Sequence, residues 1–241
     1  MSKMTHGTFP IIRQVIIGAG DMEVASKEMR EAFGLAKGFA DPLLEGINMD
    51  DETFRVGPEA HLELVGALTN EAPIAKWCEK VGGGGGYGLA IQVPALGPFE
   101  ERAESLGARK IEDIVVYDRR IVQLHPGDLG ILVELDEIPE AEQWFWDDVE
   151  AEKSENPVID DVLAVEITNP DPEALAQKWS VLFDVPVETV DGVLTVAIGA
   201  RTARFVKGDA KLMTGCDVQV ADGVEPDGRE VTVSGVSFTL V

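Results

Sequence analysis

Three polar side chains stand inside apolar segments, where each needs a partner or a function. Glu134 lies in the apolar run 131–135, and an ionised carboxylate there is costly unless it is paired, hydrogen-bonded or bound to a cation. It is predicted to be a metal ligand or a proton-transferring carboxylate, the alternative being a strand whose second face is in water. Gln14 lies in the similar run 11–17 and is either a ligand for a cation or substrate carbonyl, or a hydrogen-bonded core amide.

The third polar residue is Glu63, and two further candidates for the site are His61 on the same strand and Tyr87 on another. Glu63 alternates with His61, so both side chains fall on one strand face, which lines a ligand cavity or is exposed to water. A shift of register would bring His61 into the cavity in place of Glu63. Tyr87 begins another apolar segment and either donates a hydrogen bond to a ligand or packs as an ordinary aromatic. His125, before a proline, is expected to shape a turn.

The elements that must position these side chains recur along the chain. Asp21 and Asp171 each follow a β-branched segment and are predicted to cap a helix. The apolar positions of the two helices differ by 150 residues throughout: Ala25, Met29, Ala32 and Phe33 in the first, Leu175, Trp179, Leu182 and Phe183 in the second. This agreement in spacing and capping indicates an internal duplication.

A second pair of similar segments, 87–93 and 214–220, extends the duplication to four units. Each unit reads as a strand, a helix and two or three strands, although only eight residues, 221–228, stand where the last helix would be. The sequence therefore predicts an α+β fold of four βαβββ-type modules in two pairs.

A strongly acidic segment, about residues 136–161, separates the two pairs of modules. Its three consecutive aromatics, 144–146, are expected to pack a linker turn onto a domain while the acids stay solvated. The predicted domains are residues 1–140 and 141–241.

The composition narrows the class of partner. The 241 residues hold 20 Lys and Arg against 44 Asp and Glu, a formal charge of −24, so no nucleic acid or anionic membrane surface is expected to bind. No apolar stretch approaches the roughly 18 residues of a membrane span, and no secretory pattern opens the chain. With two cysteines, Cys78 and Cys216, and no support for a disulfide, the expectation is a reduced cytoplasmic protein that binds a small molecule.

This plan resembles the vicinal oxygen chelate (glyoxalase-like) superfamily, in which such modules pair into cup-shaped sheets. The local resemblance is to methylmalonyl-CoA epimerase-like members and covers residues 11–138. It rests on the segment 72–80, the glycine-rich step before 87–93, the Leu-His-Pro at 124–126 and the run 130–135. The resemblance implies two glyoxalase-like domains, the first with the ligand cup and the second a degenerate structural partner, in a monomer or homodimer.

The resemblance also implies a divalent cation held by one residue from each of four strands. Here those positions are Gln14, Glu63, Gly88 and Glu134, so both histidines of the usual set are absent. The three remaining oxygen ligands suit Mg²⁺, Mn²⁺ or Ca²⁺ better than Zn²⁺. Two expectations stay open: one divalent cation (Mg²⁺, Mn²⁺ or Co²⁺), or none, with Glu63 and Glu134 as an acid–base pair.

For function, the resemblance implies an isomerase, epimerase or lyase acting on a small carbonyl or acyl-thioester compound. Glu134 and Glu63 would move protons, and Gln14, Tyr87 and His61 would bind the substrate. The alternative is a metal-free small-molecule binding protein of the same superfamily. An acyl-CoA ligand would need cations for its phosphates, and the first half offers five candidates: Arg102, Arg109, Lys110, Arg119 and Arg120.

Overall fold

The computed structural model describes residues 8–241 and confirms the α+β prediction, with 14 strands joined in one sheet. The first half contains β1 (Ile11–Ala19), α1 (Met22–Phe33), α2 (Pro42–Glu45), β2 (Met49–Val56), β3 (Ala60–Ala67), α3 (Pro73–Val81), β4 (Gly84–Val93), α4 (Gly97–Ser105), β5 (Lys110–Val116), β6 (Arg119–Leu124), α5 (Pro126–Leu129) and β7 (Leu132–Glu137). The second half contains β8 (Ile159–Asn169), α6 (Pro172–Phe183), β9 (Val187–Val190), β10 (Val193–Ile198), β11 (Arg201–Lys207), β12 (Leu212–Val220), β13 (Glu230–Val233) and β14 (Val236–Leu240).

Both halves pair their strands in the same way. Two central strands run antiparallel, β1 with β4 in the first half and β8 with β12 in the second. Each central strand has a parallel partner on its other side: β3, β7, β11 and β14 respectively. Residues 221–229, between β12 and β13, contain no helix, as the sequence predicts. The halves meet where β12 pairs with β4, at Met213 and Gly86.

The helices α1 and α6 have the predicted caps. Both are 12 residues long, and the carboxylates of Asp21 and Asp171 accept hydrogen bonds from the backbone N–H three residues on, at 3.1 and 3.0 Å. Both helices end at a residue in the left-handed region, Gly34 and Asp184. Such caps satisfy backbone groups that the helix itself leaves without partners.

We expect Asp21→Ala and Asp171→Ala each to lower the free energy of unfolding by about 1 kcal/mol, because each removes the acceptor for an N-terminal helix N–H. Urea denaturation measures the loss. The matched controls Asp21→Asn and Asp171→Asn keep the acceptor and should stay close to the parent protein. Unchanged stability in either alanine variant would contradict the capping role.

One hydrophobic cluster includes side chains from both halves. The rings of Phe33 and Phe238 lie 5.1 Å apart, and the fully buried Trp179 donates its indole N–H to the carbonyl of Leu129 at 2.9 Å. The division into domains at residues 140 and 141 stays a prediction. Cys78 and Cys216 are free, buried thiols. Within residues 8–241, no helix is both long and apolar enough to cross a membrane.

Candidate active site

A cavity of about 490 Å³ lies against the sheet of the first half, on the face opposite the shared core. Its size suits a small organic molecule. Apolar and aromatic side chains dominate its wall: Ile16, Leu43, Leu44, Ile47, Met49, Tyr87, Ile114, Val116, Tyr117, Ile121, Leu132, Phe145 and Trp146. The other lining residues carry amides or carboxyls: Gln14, Asp41, Glu63, Glu112, Gln123 and Glu134.

Strand register brings the three predicted polar residues to this one cavity. Gln14 of β1 pairs with Ala90 of β4, and Ala90 pairs in turn with Glu134 of β7. On the other side, Ile16 of β1 pairs with Glu63 of β3. Because side chains alternate along a strand, residues in register on neighbouring strands project from the same face of the sheet. Their common face is the one that the cavity occupies.

The amide of Gln14 has a fixed orientation. Its oxygen accepts hydrogen bonds from the indole N–H groups of Trp144 and Trp146, at 3.2 and 2.5 Å. An indole N–H can only donate, so the amide oxygen must face the two tryptophans. The amide nitrogen therefore points the other way and donates to Oε2 of Glu63 at 2.6 Å.

The two glutamates share an environment that favours their neutral forms. Burial raises the pKa of Glu63 well above its usual value, and the charges of Asp51 and Glu134 raise it further, while the hydrogen bond from Gln14 opposes the shift. Burial also raises the pKa of Glu134, against the effect of a hydrogen bond from Gln123 at 2.6 Å. A carboxyl group whose neutral form is favoured can donate a proton, and its ionised form is a stronger base than an ordinary carboxylate.

Two more buried carboxyls, which the sequence reasoning missed, lie beside this pair. Asp136 is fully buried, neither of its oxygens has a hydrogen-bond partner, and burial and the charge of Glu134 raise its pKa well above the usual value. It lies two residues after Glu134 in β7, so strand alternation was the available signal. Asp51 of β2 accepts from the backbone N–H of Asp41 with both oxygens at 3.0 Å, and burial raises its pKa to about 7.

The raised pKa of Asp51 predicts how the stability of the protein changes with pH. The unfolded chain releases this proton near its ordinary pKa of about 4, whereas the folded protein holds it up to about pH 7. The folded state therefore binds more protons between these limits, and stability falls as the pH rises through them. We expect Asp51→Asn to flatten this fall, as measured by urea denaturation from pH 4 to 8. A slope as steep as that of the parent protein would contradict the assignment.

Of the other three residues singled out in the sequence, Tyr87 lines the cavity, whereas His61 and His125 do not. Tyr87 lines the cavity, and its ring packs edge-on against Trp77 with the centroids 5.0 Å apart. His61 shares a strand face with Glu63 but does not line the cavity, because its buried ring packs beside Phe39 instead. Burial lowers the pKa of His61 to about 3, so its ring is neutral. His125, expected to shape a turn, stands at the N-cap of the short helix α5, where its Nδ1 accepts from the N–H of Gly127 at 2.9 Å.

The segment 138–149, called here the covering segment, closes one end of the cavity. Its aromatics pack onto the first half as predicted, and Trp144 and Trp146 are buried. Three side chains of the sheet, Gln92, Arg13 and Arg55, donate hydrogen bonds to its backbone. The accepting carbonyls are those of Ile138 and Glu140 for Gln92, Ala141 and Gln143 for Arg13, and Trp146 and Val149 for Arg55.

The side chains present do not fit a divalent cation held by the predicted ligands. The oxygen of Gln14 is directed at two indoles and its N–H at Glu63, so it offers no lone pair to a cation beside that carboxylate. Gly88 supplies no ligand at the fourth position. Within residues 8–241, no group of three or more His, Cys, Asp and Glu side chains is arranged to hold a metal ion. Metal binding stays a prediction from the sequence, and the steps proposed below do not use it.

This misfit predicts the result of a metal analysis. After incubation with Mg²⁺, Mn²⁺, Co²⁺ and Zn²⁺ and removal of free ions, the protein should carry less than a stoichiometric amount of each, because two of the four positions lack an available ligand atom. Elemental analysis by mass spectrometry measures this. One equivalent of bound metal in the parent protein, absent from Glu134→Ala, would contradict this misfit and support a metal site that includes Glu134.

The sequence was compared with family models and with curated proteins. No family model matches the chain. An ethylmalonyl-CoA/methylmalonyl-CoA epimerase of Cereibacter sphaeroides is 28% identical over 133 residues, which are 53% of this chain and 97% of the epimerase.

Solved structures resemble the fold across both halves. A hypothetical protein from Staphylococcus aureus superposes with a TM-score of 0.67 at 11% identity, over 95% of this chain and 98% of its own. A mutant of 4-hydroxymandelate synthase from Streptomyces coelicolor superposes with a TM-score of 0.66 at 17% identity, over 90% of this chain and 72% of its own. The curled α+β sheet and the sequence match to an epimerase together support a relation of this chain to the vicinal oxygen chelate superfamily.

Proposed function

We propose that this chain is an isomerase or epimerase that moves a proton to and from the carbon beside the carbonyl group of a small molecule. The observation that carries the proposal is the pair Glu63 and Glu134, two carboxyls with raised pKa values in one largely apolar cavity. The sequence match to an epimerase supports the same class of reaction.

Glu63 is the group that would hold the substrate carbonyl. Burial and the charges of Asp51 and Glu134 raise its pKa well above the usual value, which favours its neutral form. One oxygen accepts the hydrogen bond from Gln14, which leaves the other to carry the proton and donate to the substrate oxygen. A neutral carboxylic acid in an apolar site is an effective donor to the oxygen of a developing enolate.

Glu134 is the group that would take the proton. Its pKa is raised by burial, and Gln123 fixes one of its oxygens. When ionised, it removes the proton from the carbon next to the carbonyl, the electrons of that C–H bond form a C=C bond, and the carbonyl oxygen takes the proton of Glu63. Return of both protons restores the carbonyl compound; inversion at the carbon requires that the returning proton arrive on the face opposite Glu134.

Solvent deuterium exchange tests the proposal without knowledge of the natural substrate. The protein is incubated in D₂O with 4-phenylbutan-2-one, and NMR follows the loss of signal from the hydrogens beside the carbonyl. The proposal is supported if exchange with the parent protein is faster than exchange in buffer alone and faster than exchange with the Glu63→Gln variant. Exchange at the buffer rate, with the ketone shown by calorimetry to be bound, would contradict it.

The second candidate function is a metal-free small-molecule binding protein. The cavity wall favours it, because 13 of its 19 lining residues are apolar or aromatic and together provide contacts that need no chemistry. The two functions differ in their need for Glu134: a binding protein should keep its affinity in Glu134→Gln, with only a modest loss, and should show no exchange in either form.

A further inference from the structure

Resting on the proposed function, we infer the substrate class of this cavity: a carbonyl compound with an apolar body and no negative charge. Coenzyme A thioesters, which carry several phosphate charges, fall outside this class. The inference depends on where the cationic side chains of the first half are, and on which charged groups line the cavity.

The cavity wall formed by the described part of the chain is free of cationic side chains. Among residues 8–241, those that form its wall include no Lys or Arg, whereas four of them carry carboxyls: Asp41, Glu63, Glu112 and Glu134. An anionic ligand would lose hydration on entry and find no opposite charge to replace it. The overall charge of −24 adds a repulsion that grows as the anion approaches.

The five cationic side chains named above as candidates for phosphate binding have partners within the protein. Three of them lie in ion pairs: Arg109 with Asp128 at 2.8 Å, Lys110 with Glu100 and Asp113 at 2.9 and 2.7 Å, and Arg120 with the same two acids at 2.8 and 2.7 Å. Arg102 donates to the carbonyl of Leu182 at 2.7 Å, and Arg119 donates to Gln143 at 2.8 Å. To bind a phosphate, the paired cations would first have to leave carboxylates that already hold them.

Two further cations of the first half, Arg13 and Arg55, also have partners within the protein. Arg13 and Arg55 lie on the cavity side of the sheet, but both direct their guanidinium N–H groups at carbonyls of the covering segment. They hold protein backbone in place, and neither contributes to the cavity wall.

Part of the wall is suited to a neutral or positively charged group. The rings of Tyr117, Phe145 and Trp146 lie within 5.9 to 6.3 Å of one another, and the Tyr117 hydroxyl donates to Asp41 at 2.8 Å. Aromatic faces attract cations and apolar groups but not anions. Carboxyls placed beside these rings reinforce the same preference.

A matched set of ketones tests this inference. Calorimetry compares 4-phenylbutan-2-one with derivatives that carry an aminomethyl or a carboxylate group at the para position, and with butyryl-CoA. We expect the neutral ketone and the amine to bind at least about tenfold more tightly than the carboxylate, and butyryl-CoA to show no saturable binding.

Each outcome decides the inference. Equal binding of the three ketones, preference for the carboxylate, stoichiometric binding of butyryl-CoA, or no binding of either the neutral ketone or the amine would overturn it. The expected ranking without any deuterium exchange would refute the proposed function and leave the inference on ligand class intact.

A charge reversal in the wall provides a second, independent measurement. Glu112→Lys places a cation at the cavity, and it should improve the affinity for the carboxylate ketone relative to the neutral one by about fivefold. Glu101→Lys, on the exposed face of α4 and outside the cavity wall, makes the same change in net charge and should leave the ranking unchanged. An equal effect of both variants would show that net charge, and not the cavity, sets the preference.

Discussion

Glu134→Gln is expected to slow deuterium exchange into a bound ketone by about 10²- to 10⁴-fold, the usual contribution of a positioned proton-transfer group. The amide has nearly the volume of the carboxyl, and its oxygen can still accept the hydrogen bond from Gln123. It cannot take a proton from carbon. The variant therefore separates loss of chemistry from loss of structure, and NMR in D₂O measures the rate.

Two controls make this result specific. Glu112→Gln makes the same chemical change in another carboxyl of the cavity wall, and it should leave exchange within about twofold of the parent protein, since the proposed steps do not involve Glu112. The affinity of Glu134→Gln for 4-phenylbutan-2-one, measured by calorimetry, should also stay close to that of the parent. Rapid exchange in Glu134→Gln together with its loss in Glu63→Gln would assign the base to Glu63.

The same variant has an expected effect on stability. The folded-state pKa of Glu134 lies above its unfolded value, so ionisation of this group costs stability as the pH rises. Gln needs no ionisation, and Glu134→Gln should therefore be at least as stable as the parent protein at pH 8. A buried carboxyl that opposes folding in this way is consistent with the proposed role in proton transfer.

The three residues that the sequence identified share one property, which explains why they could be found. Gln14, Glu63 and Glu134 are polar residues inside apolar strand segments, and such a position is costly without a role. Which strand face they occupy followed from alternation, because side-chain direction in a strand has a period of two. His61 obeyed the same rule and shares the face of Glu63, yet alternation alone could not show that Phe39 and the covering segment would occupy the space beside it.

The helices were predictable to their caps for a similar reason. Capping by Asp21 and Asp171 depends on three residues of local sequence, and the apolar spacing of α1 and α6 depends on eight to twelve. The covering segment has no such local pattern. Its position depends on hydrogen bonds from residues 46 to 130 positions away in the chain, which composition and periodicity do not reveal.

Arg13 illustrates what sequence periodicity misses. The register of β1 against β4 shifts between Ile12 and Gln14, so Arg13 is an extra residue at that point of the pairing. Such a bulge redirects a side chain that regular alternation would place on the opposite face. Arg13 and Gln14 consequently both reach the covering segment, although they are neighbours in one strand.

Arg13→Met is expected to lower the free energy of unfolding by about 3 kcal/mol, because it leaves several buried acceptors without a donor. Arg13 is 3% exposed; its Nε donates to Gln92 at 2.6 Å, and its terminal nitrogens donate to the carbonyls of Glu59, Ala141 and Gln143. Met retains much of the aliphatic volume, so the loss reports mainly on the guanidinium. Urea denaturation followed by circular dichroism measures it.

The matched variant Arg55→Met distinguishes a buried anchor from a partly exposed one. Arg55 also donates to two carbonyls of the covering segment, but it is half-buried and these hydrogen bonds are only partly buried, so the expected loss is about 1 kcal/mol. Equal losses in the two variants would mean that burial does not set the cost.

In Arg13→Met the covering segment should loosen, so that Trp144 and Trp146 lose their contact with the Gln14 oxygen and their fluorescence shifts to the red. If Arg13→Met loses the expected stability but its tryptophan emission does not shift, the tryptophans hold the covering segment without Arg13. The orientation of Gln14 would then depend on the indoles alone.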